Sequence, residues 1–279
     1  MSNIIIFLFT FYILLISVIG YGILFQKLCF GTFKDLKDQK AIYTGFYGLF
    51  LLTLISLITS LFLAHNFTHN ILLHLIGVLS FIFLAVKNKK NYLKIIFLIS
   101  LFTLSALLIS KTHDDFSYYH FTFTKYLTEQ KVIFGMGIIG HGYKLLSSLF
   151  FLNSTFYLPL IGLYSFHFSI IFFLIFFNYF LLKNIFSNKT HEFFKYFYFL
   201  TFVFFNVSFN RLAEFGMDKP GQLLIVILII KLFEIIVIID QKKKIRSNFT
   251  TITFIWTLYK YKNLFFDLYF IIIFNSFIK

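Results

Sequence analysis

Apolar stretches of membrane-crossing length recur along this chain, separated by short gaps that carry lysine, and no other feature constrains its fold as strongly. A helix needs about 20 apolar residues to cross a hydrocarbon core, and backbone in lipid must satisfy its own hydrogen bonds. The stretches fall at 3–25, 41–64, 71–86, 95–110, 158–182, 196–210 and 223–239, with weaker ones at 249–259 and 264–278. The pattern predicts an all-α, polytopic transmembrane helical bundle of about eight or nine spans. Residues 1–279 read as one integral membrane domain: three spans in 1–94, a central module in 95–240 and the C-terminal spans in 241–279.

A composition 59% hydrophobic excludes a soluble globular domain, since such domains hold about 45–50% apolar residues. The net charge of +14 would suit a nucleic-acid binder, but the lysines sit in the gaps between apolar runs. There they fix orientation across a bilayer, so no nucleic-acid partner is expected. Segments 26–40, 87–94, 183–195 and 240–248 carry the basic residues and are expected to be cytoplasmic. Segments 65–70, 111–157 and 211–222 alternate with them and are expected outside, with the N-terminus, in the periplasm of a bacterial inner membrane. Met1-Ser2-Asn3 lacks a basic region, so the first run reads as a retained helix. Cys29 is the single cysteine, so no internal disulfide forms. The alternation weakens after Trp256, where the chain makes either a re-entrant hairpin or a truncated end.

The chemistry is concentrated in 111–157, which holds the adjacent acids Asp114 and Asp115. Phe116, Tyr119, Phe123 and Leu127 recur at spacings of three and four, predicting an amphipathic helix over 115–130. Such a helix lies on the periplasmic membrane surface between the fourth and fifth spans. One reading makes the acids its N-terminal cap or first turn. The other puts them to work beside His113, Tyr118, Tyr119, His141 and the glycines 135, 137, 140 and 142. An ionised aspartate there can take the proton of an attacking hydroxyl, and the second can orient it or hold a divalent cation, the one candidate cofactor. In 210–222, Arg211 and Lys219 can bind phosphate, while Glu214 and Asp218 can position a sugar hydroxyl. An ordinary solvated turn accounts for that loop equally well.

Lys231 and Glu234 are three apart within a span and can pair there. His74 and His167 stand alone in apolar helices and read as hydrogen-bonded structural histidines.

An Asp-Asp at the membrane edge, followed by Tyr118-Tyr119-His120, a surface helix and a Gly-rich connection, resembles the polytopic glycosyltransferases of the GT-C superfamily. The stretch Glu214-Phe-Gly-Met-Asp-Lys-Pro-Gly is similar to a second outer-loop region in bacterial relatives of that group. The resemblance covers 95–240 and implies a sugar donor carried on polyprenyl phosphate, with a glycan, lipid or protein acceptor. It makes Asp114 or Asp115 the catalytic base of an inverting transfer, with Arg211 and Lys219 near the donor phosphate. In that group the acid loop usually follows the first helix, whereas here about four spans precede it. Two other readings stay open: a transporter or lipid-carrier flippase using Lys231 and Glu234, and a non-catalytic or truncated membrane scaffold.

Overall fold

The computed structural model describes residues 2–30, 42–84, 90–107, 114–138, 140–144, 147–158, 161–188, 190–207 and 218–242. The helices there are α1 (Ser2–Phe30), α2 (Thr44–Ser60), α3 (Phe67–Leu84), α4 (Lys90–Leu107), α5 (Phe121–Glu129), α6 (Ser148–Thr155), α7 (Phe168–Ile185), α8 (Glu192–Val207) and α9 (Asp218–Lys242). The described residues are all-helical and contain no strand. Four helical stretches are long and apolar enough to cross a membrane: Ile4–Phe30, Phe67–Leu84, Tyr164–Ile185 and Lys219–Val237. Thr44–Ser60 and Leu93–Leu104 are apolar but shorter. The expected spans 249–259 and 264–278 lie outside the described residues.

Two compact units divide the chain at Lys219 and Pro220. In the first, α1 lies against both α2 and α3 through glycine. A Cβ on Gly20 would collide with the Gly77 carbonyl of α3, and one on Gly22 with the Thr44 carbonyl of α2. Gly48 meets the Val18 carbonyl in the same way. Small residues let helix backbones approach until van der Waals contact replaces the hydrophobic drive that lipid removes. Their order sets direction: α1 and α3 run parallel, because Ser17 meets His74 as Gly20 meets Gly77, while α1 and α2 are antiparallel.

Helix α7 is buried nearly all round, as an apolar helix without a polar face must be in the middle of a bundle. Phe11 of α1 packs on Phe168 and Phe172, Phe46 of α2 on Phe173 and Phe176, and Tyr198 of α8 on Phe180. Asn178 and Asn206 exchange two amide hydrogen bonds of 2.9 Å between α7 and α8. These pairings make α2 and α8 antiparallel to α7. The starting ends of α1, α3 and α7 and the finishing ends of α2 and α8 therefore share one end of the unit.

One expectation needs correction, and one helix is new. The span expected at 158–182 starts as helix only at Phe168. Before it come an isolated bridge from Leu158 to Gly162 and a 3-10 turn over Leu163–His167. Gly162 sits at φ 68°, a left-handed conformation that interrupts a helix. The 111–157 segment contains α6, capped by the Ser147 hydroxyl, which accepts the Leu149 N–H at 3.3 Å, and buried from Leu149 to Thr155.

In the second unit α9 continues to Lys242, with Lys231 Nζ donating to Glu234 Oε2 at 2.7 Å, so these two residues pair as expected.

Candidate functional site

The amphipathic run folds as two pieces. A π-helical turn spans Phe116–His120 and passes into α5. The turn closes with the Phe121 N–H on the Phe116 carbonyl, one residue wider than an α-turn. His120, Phe123, Thr124, Leu127 and Thr128 are buried. The stripe that the sequence assigns to the membrane surface thus faces α6, where Phe123 and Leu127 cluster with Phe150 and Phe151. Such a turn shifts the register between Tyr119 and Phe123, so Tyr119 packs edge-on against His120 and Phe150 while Tyr118 points outward.

Asp114 and Asp115 form the bend that enters this turn. The Asp115 carbonyl accepts the N–H groups of Tyr119 and His120 at 3.2 and 3.3 Å. Asp115 thus holds the N-cap position that the sequence allowed for one of the two acids, without a capping hydrogen bond from its side chain. Asp114 is exposed and Asp115 half-buried. A 3-10 turn over His141–Lys144 closes over the same place, with Gly142 so near the Tyr119 ring that a Cβ there would collide with it. The fold therefore sets the 141–144 turn against Tyr119, four residues after the Asp115 that opens the π-turn.

Other expected site residues are not brought to this place. His113, Arg211 and Glu214 lie outside the described residues, as do the side chains of His141 and Asp218. Asp218 and Lys219 open α9, where Lys219 is half-buried. Among the described residues, no three His, Cys, Asp or Glu side chains gather where they could hold a metal ion.

Sequence reasoning missed the polar network at the finishing end of α5. The turn between α2 and α3 is tied to it by main-chain bonds from His65 N–H to Leu127 O at 2.8 Å and from Val132 N–H to Ser60 O at 2.9 Å. Asn70 is fully buried, and its amide lies 2.9 Å from each of three carbonyls, those of His65, Ser154 and Tyr157. His65 Nδ1 meets Ser154 Oγ at 2.6 Å and its Nε2 meets Thr59 Oγ1 at 3.0 Å. The Ser154 hydroxyl also donates to Phe151 O at 2.7 Å and the Thr59 hydroxyl to Ser56 O at 3.3 Å, so His65 bridges two hydroxyls that each reach back to their own helix. Burial, and then the neighbouring His69, hold His65 well below the usual imidazole range. His74 is a hydrogen-bonded structural histidine as expected: its Nε2–H donates to Thr155 O and its Nδ1 meets Ser17 Oγ, both at 3.0 Å.

One sequence signal existed. Asn66 Oδ1 accepts the His69 N–H at 3.0 Å, so Asn66-Phe-Thr-His69 is the N-terminal cap of α3. Nothing local reveals that Asn70 and His65 reach Ser154, 84 and 89 positions along the chain.

A family described as a Domain of unknown function (DUF8201) matches residues 4–279. No curated protein and no solved structure matches the chain.

Proposed function

We propose that this chain, which belongs to the family described as a Domain of unknown function (DUF8201), is a multi-pass inner-membrane glycosyltransferase working at the periplasmic face with its N-terminus outside. It moves a sugar from a polyprenyl-phosphate donor to an acceptor hydroxyl on a glycan, lipid or protein. Asp114 takes the hydroxyl proton as the oxygen attacks the anomeric carbon, and the polyprenyl phosphate leaves with inversion. Asp115 orients the acceptor or holds a divalent cation. Tyr118, Tyr119, His113 and His141 flank the sugar, Arg211 and Lys219 take the donor phosphate, and Glu214 and Asp218 take sugar hydroxyls.

The observation that carries this reading is an exposed Asp114 carboxylate at the bend opening the turn that holds the exposed Tyr118 phenol. The main-chain bonds joining residues 127 and 132 to the α2–α3 turn support a common side for segments 65–70 and 111–157. The serpentine order of the first unit supports the same sidedness, with the surface helix and about eight or nine spans belonging to this reading.

Transfer from a polyprenyl-phosphate sugar in membranes carrying Asp114→Asn tests it. The expected loss is roughly 100-fold or more, the usual contribution of a general base. Undiminished transfer in Asp114→Asn, Asp115→Asn and the double variant would remove the mechanism. The flippase reading gains less support, because Lys231 and Glu234 are bonded to each other.

A further inference from the structure

Residues 130–138 are extended and turn-like, lie outside the helices that could span a membrane, and present the most exposed apolar side chains of the segment. Phe134 is 85% exposed and Ile138 90% exposed, with Ile133 exposed behind them. Gly135, at φ 89°, turns the chain there, and the 3-10 turn Met136–Ile138 carries Ile138 outward. A loop bathed in water would be expected to turn such side chains inward or lack them.

Three observations indicate what covers them. First, the Val132 N–H to Ser60 O bond fixes this loop beside the finishing end of α2. The turn leaving α2 there exposes Leu61, Phe62 and Leu63, Phe62 to 71%. Second, lysines flank the apolar tip. Lys131 precedes it, and Lys144, whose stem lies against Gly137, follows; both are exposed. Third, Tyr164, in the turn that starts α7 at the same end of the unit, is exposed as well. Apolar tips, a lysine fringe and an outward tyrosine are the chemistry of the boundary between lipid headgroups and acyl chains.

We propose that 130–138 and 61–63 together form an interfacial anchor, inserting Phe134 and Ile138 into the leaflet where α2 emerges, with Lys131 and Lys144 on anionic headgroups. The anchor fixes the height of the α5–α6 module above the bilayer. It rests on the membrane-spanning reading and not on sugar transfer.

The test uses the full chain with Cys29→Ser, reconstituted in vesicles of phosphatidylcholine and phosphatidylglycerol. An environment-sensitive fluorophore is placed on Phe134→Cys and, independently, on Ile138→Cys. Lys125→Cys, on the exposed side of α5, is the aqueous control. The expected result is quenching at 134 or 138 by lipids spin-labelled near the headgroup, protection from aqueous iodide, and the reverse at 125. Two results would overturn the proposal. One is iodide quenching at both 134 and 138 with no lipid quenching. The other is lipid quenching that vanishes as protein density in the vesicles rises, which assigns the patch to a second copy of the chain.

Discussion

At the scale of single residues, the buried Asn70 amide lies 2.9 Å from the carbonyls of His65, Ser154 and Tyr157 and so ties the α2–α3 turn to the end of α6. Asn70→Leu keeps the volume and removes the buried donor shared among them, and a buried acceptor left without its hydrogen bond is costly. The expected loss is about 3 kcal/mol, read as a lowered unfolding midpoint in detergent. His65 gives the second residue-scale prediction. Its folded pKa lies below its unfolded one, so the unfolded chain gains a proton first as pH falls through about 6.5. Its contribution is complete above that value and lost on acidification, at about 1.4 kcal/mol per pH unit. Stability measured from pH 7.5 to 5 should fall less steeply in His65→Gln than in the parent; equal slopes would show that His65 does not titrate on unfolding.

At the scale of elements, the close approach of α1 to α3 depends on the absence of side chains at Gly20 and Gly77. Gly20→Val should lower thermal stability by about 1–3 kcal/mol or more. Leu75→Ala, on the exposed side of α3, should cost far less. The elements also show what could be read without coordinates. Length and hydropathy located α1, α3 and α9 because a bilayer demands a minimum run of apolar residues whatever the tertiary contacts. The same rule placed the start of α7 too early, since hydropathy is blind to the left-handed Gly162. It missed α6 because a short helix buried continuously from Leu149 to Thr155 shows no periodicity. The 3–4 spacing of Phe116, Tyr119, Phe123 and Leu127 identified a real helical face. Periodicity gives the face but not its partner, and Phe150 and Phe151 cover it. The acid pair was legible as neighbouring carboxylates, whereas the His65–Asn70 network was not, since its bonds to Ser154 and Tyr157 join residues far apart in sequence.

At the scale of the whole molecule, charge distribution and helix direction make separate statements about sidedness. Under the proposed membrane reading, the lysine-rich gap 183–195 faces one side and 111–157 the other. Asn188, just past the end of α7, is exposed and gives a labelling position on the first of these. With Cys29→Ser as background, a membrane-impermeant thiol reagent added to intact cells should label Ser117→Cys and leave Asn188→Cys unlabelled until the membrane is opened. Labelling of both from outside would break the serpentine order on which the proposed site depends.

The two main-chain bonds from the α2–α3 turn to residues 127 and 132 have a mechanical consequence. They fasten the finishing end of α5 and the residues just after it to the α2–α3 turn, so a tilt or slide of α5 must either carry that turn along or break main-chain hydrogen bonds.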